Sequence, residues 1–193
     1  MFFYRDNFLS AEDFTELHEL SVRRFPVILR EDKEVVKRPD YLVRSRDDQI
    51  PPGHTNVPVE LLVRYGKIVH KVVDQTYKFL IDDVKVIEPE ISAFWFAYMN
   101  PNQTIGYHID GPVHGVPVEK CLTICLYIHK EWREEYGGEI EEDGLKFMPV
   151  PNRLAVWSRD IVHRVNEITD KSLNFNRTIF ATTWTTKGFS DNV

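Results

Sequence analysis

The sequence predicts a mainly β, α+β fold: an eight-stranded double-sheet jelly roll backed by N-terminal helices. Three observations lead there. Apolar residues at helical spacing occur only before Asp83. After Asp83 the chain breaks into short apolar runs bounded by turn residues. No helical pattern separates those runs, which argues against a parallel βαβ sheet and for two antiparallel sheets packed face to face.

Phe2 to Phe8 reads as a short strand or an anchored arm. Ser10 offers an N-cap with Asp13 three residues on, and Phe14, Leu17, Leu20 and Val22 mark an amphipathic helix to about Phe25, where Pro26 stops it. From Val27 to Asn56 the pattern dissolves into a long loop of the kind that handles substrate beside a rigid scaffold. A second helix starts near Pro58, and Leu61, Leu62, Tyr65, Ile68, Val69, Val72, Val73, Tyr77 and Leu80 carry it to about Ile81. Eight strands follow at 91–99, 106–110, 121–129, 138–142, 146–150, 154–158, 163–168 and 177–185. Turn signals divide them, among them Asn100-Pro101-Asn102, Gly137-Gly138, Asp143-Gly144 and Pro151-Asn152.

With 193 residues, 42% of them hydrophobic, the chain suits one domain, with 1–83 as helical support and substrate loop and 84–186 as the jelly-roll core. A formal charge of −6 argues against a dedicated nucleic-acid binder. The charges between Arg23 and Asp48 mix both signs and read as a solvated face, with a substrate-facing role as the alternative. Cys121 and Cys125, four apart in one predicted strand, lie about 13 Å from each other and cannot form a disulfide. They read as buried core thiols of a reducing compartment. No basic leader and no apolar run of membrane-spanning length is evident, so a soluble, cytoplasmic protein without a membrane partner is expected.

The chemistry centres on Gly106-Tyr107-His108-Ile109-Asp110-Gly111. In a strand, the imidazole of His108 and the carboxylate of Asp110 leave the same face about 7 Å apart along the backbone. His163, opening the seventh of the eight strands, supplies a third ligand if that strand lies beside the second. Two histidines and a carboxylate on one side of an ion form the facial triad of non-heme Fe(II) oxygenases, with positions left open for a co-substrate and dioxygen. Arg177 opens the eighth strand, and its guanidinium fork suits a dicarboxylate. The other histidines, His18, His54, His70, His114 and His129, read as core or surface residues.

The runs Lys120 to Trp132, Tyr136-Gly-Gly-Glu-Ile140 and Asn152-Arg-Leu-Ala-Val-Trp-Ser158 before His163 resemble the double-stranded β-helix core of the 2-oxoglutarate and Fe(II)-dependent prolyl hydroxylases. The group that includes the hypoxia-inducible-factor prolyl hydroxylases is the nearest. The likeness runs from about Phe94 to Thr186, and more faintly through Asp6-Asn7-Phe8-Leu9. It implies His108, Asp110 and His163 as iron ligands and Arg177 as the partner of the 2-oxoglutarate C5 carboxylate. It implies Tyr127 as a hydrogen-bond donor to that same carboxylate, and Tyr98 as a wall of the pocket near the metal.

The sequence departs from the group in three places. The spacing from His163 to Arg177 is long, with a polar insertion from Glu167 to Asn176 that leaves Lys171 as an alternative to Arg177. Trp184 falls one place late, on the other face of its strand, and is left out of the site. The loop of 27–56 shows no match. Thr123 and Trp157 are taken as core packing. The resemblance implies a dioxygenase that couples oxidative decarboxylation of 2-oxoglutarate to hydroxylation of a C–H bond, releasing succinate and CO2, with ascorbate as a reductant. A prolyl residue in a protein or peptide leads as substrate for a monomer or homodimer. A free amino acid or other small metabolite is the alternative, a nucleic-acid dealkylase is third, and a non-catalytic metal and 2-oxoglutarate sensor stands in a different class.

Overall fold

A computed structural model describes residues 2–24, 67–99, 101–113, 115–169, 171 and 177–190, the side chains of 22–24, 95 and 98 excepted. Eleven strands and two helices fall among them. They are β1 (Phe2–Arg5), α1 (Ala11–Arg24), α2 (Lys67–Asp82), β2 (Val86–Ile87), β3 (Glu90–Met99), β4 (Ile105–His108), β5 (Cys121–Tyr127), β6 (Ile140–Glu142), β7 (Leu145–Phe147), β8 (Leu154–Ser158), β9 (His163–Val165), β10 (Arg177–Thr185) and β11 (Gly188–Phe189). The substrate loop expected at 27–56, the charged face at 23–48 and the start of the second helix near Pro58 lie outside the described residues.

Three sheets result, ordered β1-β8-β5-β10-β3, β4-β9-β6-β7 and β11-β2, with antiparallel pairing throughout. Two corrections to the predicted strands matter for the site. The strand expected over 106–110 ends at His108, and the one expected from Gly138 begins at Ile140. The second change follows from backbone conformation. Gly137 and Gly138 have φ of 69° and 75°, which a side chain disfavours, and a Cβ on Gly137 would sit 2.1 Å from the Glu167 carbonyl oxygen.

Strict alternation along the central strands divides the interior in two. Leu122, Ile124, Leu126, Leu154, Val156, Phe180 and Trp184 share one buried cluster with Leu17 of α1 and Ile68, Val69, Val72 and Leu80 of α2. Cys125, Tyr127, Ala155, Trp157 and Ala181 point the other way, against Ile140, Val165 and Ile168 from the small-sheet side. Each fully buried aliphatic side chain contributes about 1.5–3 kcal/mol. The helices thus brace the outer face of the large sheet and leave its inner face to the barrel. Trp184 lies on the helix side, as its spacing predicted, next to a register shift between Thr183 and Trp184 in the pairing with β3.

The α1 cap is the predicted one. The Asp13 amide donates to Ser10 Oγ at 3.2 Å, and that hydroxyl donates to Asp13 Oδ2 at 2.7 Å. Both cysteines are free and buried, and burial pushes the Cys125 thiol up to about 12. Among the described residues no helix is long and apolar enough to cross a membrane.

Candidate metal and co-substrate site

β4 and β9 are antiparallel neighbours, and His108 stands directly opposite His163. Their rings lie 4.4 Å apart, centroid to centroid. Asp110 lies two residues past the end of β4, yet its Oδ1 comes within 3.6 Å of His108 Nε2 and 4.0 Å of His163 Nε2. One ligand atom from each residue falls within 4.8 Å of the others, and no second group of this kind occurs among the described residues. The three predicted ligands therefore meet, although the acid reaches the site from a loop and not from the strand.

Local hydrogen bonds prepare each group to hold a cation. His108 Nδ1 lies 2.8 Å from the Gly106 carbonyl oxygen, and His163 Nδ1 lies 3.0 Å from that of Ile161. A carbonyl only accepts, so both Nδ1 atoms carry the proton and both Nε2 lone pairs face Asp110. Burial holds His163 below the ordinary histidine value in spite of the nearby carboxylate, which keeps the ring neutral. For Asp110 burial pushes the pKa up, but its polar neighbours, the facing His108 and His163 rings, the Thr123 hydroxyl and the Arg159 guanidinium, outweigh it and hold the carboxyl at about 2. Two neutral imidazole nitrogens and a carboxylate oxygen fit Fe(II).

The far end of β5 holds the second half of the site. From Thr123, beside Asp110, to Tyr127 is about 13 Å along the strand. Arg177 is buried at 4% exposure, and its Nη2 donates to the Tyr127 hydroxyl at 3.3 Å. Among the described residues its Nη1 meets only the Met99 sulfur at 3.6 Å, its Nε has no partner, and no carboxylate pairs with it. A buried guanidinium left without a counter-ion is costly, so this one fits a ligand carboxylate. Burial pushes Tyr127 up to about 12, which keeps its hydroxyl protonated. Gly138 lets the chain pass over this end, since a Cβ there would lie 3.2 Å from Arg177 Cδ and 3.3 Å from the Trp132 ring. Between the two ends, Ala155, Cys125 and Ala181 are register partners across β8, β5 and β10, a row of small side chains on the inner face.

Lys171, the alternative to Arg177, is exposed. The Tyr98 side chain lies outside the described residues, and only its backbone, paired with Thr178, is defined. Thr123 and Trp157, expected as core packing, are buried as expected and also reach the site. Thr123 Oγ1 donates to Asp110 Oδ2 at 2.6 Å, and Trp157 Nε1 donates to the same oxygen at 3.0 Å. The row of small residues and Arg159 had no signal in the sequence, because pairing across strands distant in the chain defines both.

Residues 94–186 match the family model described as the 2OG-Fe(II) oxygenase superfamily. No curated protein matches the chain by sequence. Solved structures share the fold at low identity. A viral collagen prolyl hydroxylase from Paramecium Bursaria Chlorella virus-1, solved as a 2OG complex, aligns with a TM-score of 0.63 and 15% identity over 97% of this chain and 96% of that one. A prolyl-4-hydroxylase from Pseudomonas putida aligns with 0.53 and 19% over 97% and 92%. A prolyl 4-hydroxylase structure from Phytophthora capsici aligns with 0.55 and 15% over 96% of this chain and 59% of that one. The matched segment begins within β3 and ends just past β10, taking in every strand that lends a side chain to the site. Over residues 94–186 the chain therefore matches the 2OG-Fe(II) oxygenase superfamily, as a dioxygenase that uses Fe(II) and 2-oxoglutarate, and its fold is that of prolyl hydroxylases.

Proposed function

We propose that this dioxygenase hydroxylates a prolyl residue in a protein or peptide, with His108, Asp110 and His163 as the Fe(II) ligands and Arg177 and Tyr127 as the seat of the 2-oxoglutarate C5 carboxylate. One observation carries the site assignment: a three-ligand cluster and a buried guanidinium with no carboxylate partner among the described residues face the same barrel interior from opposite ends of β5. The prolyl substrate is supported by solved structures of like fold that are prolyl hydroxylases.

Fe(II), when bound with 2-oxoglutarate, supplies the dioxygen chemistry that hydroxylates the C–H bond and releases succinate and CO2. The protein's own groups do the positioning. The two Nδ1–H bonds to backbone carbonyls fix the tautomers that present Nε2. Arg177 and the protonated Tyr127 hydroxyl offer donors to a carboxylate, and the aliphatic and aromatic lining excludes water.

The test is succinate formation with Fe(II) and 2-oxoglutarate, alongside mass spectrometry of proline-containing peptides for a gain of one oxygen atom. His108→Ala and Asp110→Ala are expected to abolish both signals. Retained turnover in both variants would overturn the ligand assignment. Oxygen gain on a free amino acid and on no peptide would move the substrate to the small-molecule class.

A further inference from the structure

We infer that Arg159, which follows β8, is a positioning residue that makes Asp110 a one-oxygen ligand; the inference rests on the metal-ligand reading given above. β4 stops at His108, so no strand ladder holds Asp110 or Gly111. Arg159 takes the place of that ladder. Its Nη2 donates to the Asp110 carbonyl oxygen at 2.5 Å and its Nε to the Gly111 carbonyl oxygen at 2.7 Å. The Asp110 amide donates back to the Arg159 carbonyl oxygen at 3.2 Å, and the Arg159 amide is anchored on the Cys121 carbonyl oxygen at 3.0 Å. The ligand loop is thereby fastened to the end of β8 and to the start of β5.

The third donor reaches the carboxylate through Thr123. Arg159 Nη1 lies 3.0 Å from Thr123 Oγ1, and an arginine only donates, so the threonine proton is turned toward Asp110 Oδ2 at 2.6 Å. Trp157 Nε1 occupies the same oxygen at 3.0 Å. With Oδ2 taken by two donors, Oδ1 alone faces the two histidine nitrogens. Loss of the guanidinium frees the loop and lets the Thr123 hydroxyl turn away. The carboxylate then rotates, and its second oxygen competes for a coordination position that the co-substrate and dioxygen need.

The test uses the full chain and Co(II) as an oxygen-stable probe, followed by calorimetric titration and by visible d–d absorption, with apo-protein melting as a check on folding. Arg159→Met is expected to weaken Co(II) binding about 10-fold or more, and to change the d–d band as a second carboxylate oxygen enters. Arg159→Lys, with a point charge where three directed donors stood, recovers only part of the loss. Thr123→Val keeps the backbone clamp but breaks the relay, so it shifts the band with a smaller loss of affinity; it also serves if Arg159→Met does not fold. Wild-type affinity with an unchanged band in Arg159→Met, or an unchanged band in Thr123→Val, overturns the proposal. Wild-type protein that takes up no Co(II) would instead defeat the ligand assignment beneath it.

Discussion

Among the described residues the buried guanidinium of Arg177 is held by one neutral hydroxyl and one sulfur, and its Nε is without a partner. Charged hydrogen bonds are worth about 1.5–3 kcal/mol each, so Arg177→Ala should raise the half-saturating 2-oxoglutarate concentration at least about 10-fold. Co(II) affinity, set at the other end of β5, should change little. Steady-state titration of 2-oxoglutarate beside Co(II) binding checks this, and an unchanged half-saturating level would assign the carboxylate to another group. His108, Asp110, His163, Arg177 and Tyr127 were all legible as residue types at telling places in the chain. The roles of Thr123 and Trp157 were not, because a threonine and a tryptophan facing inward from strands look the same whether they fill space or donate to a carboxylate. Only the position of Asp110 Oδ2 between them decides that.

At the scale of elements, Glu141 ties the small sheet together on the face away from the site. From β6 it accepts two hydrogen bonds from Arg164 of β9, at 2.7 and 2.8 Å. It also accepts one from Tyr107 of β4 at 3.0 Å and one from Asn166 at 3.1 Å. These bonds, the Arg164 ones first, hold its carboxyl at about 2 against an ordinary value of 4.5. The folded pKa lies below the unfolded one, so the contribution is whole above about pH 4.5 and is lost as pH falls toward 2. Glu141→Gln should flatten that part of the acid limb of the stability profile, and an unaltered limb in urea melts between pH 5 and 2.5 would refute the tie. β4 and β9 carry His108 and His163, so this network also keeps the two ligand strands in register. A comparable tie secures β1. Asn152 exchanges hydrogen bonds with the Leu9 backbone at 2.9 and 2.8 Å, and Arg153 pairs with Asp6. The sequence likeness at Asp6 to Leu9 and at Asn152-Arg153 thus marks two halves of one contact. The succession of strands along the chain from β3 to β10 was readable from turn residues and alternation. Their ends were not, because the glycine conformations at 137 and 138 and the clamp past His108 depend on neighbours far off in the chain.

For the whole molecule, a metal that joins β4, the loop after it and β9 adds a cross-link that only the folded chain possesses. Binding at about 100 times the dissociation constant stabilises the folded state by about 2.7 kcal/mol. For a chain of this size that corresponds to a rise in Tm of roughly 5–10 °C. Chelator-treated protein should melt lower by that margin than protein loaded with Co(II) or Mn(II), and Asp110→Ala should lose the difference. Equal melting temperatures with and without metal would contradict a shared ion. The sequence alone determined the two-layered interior. Alternation along 121–127, 154–158 and 177–185 sends even-numbered residues to the helices and odd-numbered ones to the barrel, whatever the detailed pairing. It also determined which residue types could hold a metal and an acid. What only the tertiary structure decided is the support of that site: Arg159 on the Asp110 loop, Thr123 and Trp157 on Oδ2, and the Ala155, Cys125 and Ala181 row between the two ends. The physical reason is that hydrogen bonds and register act across space, between strands far apart in the chain, and periodicity within a strand carries no record of which residue comes to lie beside it.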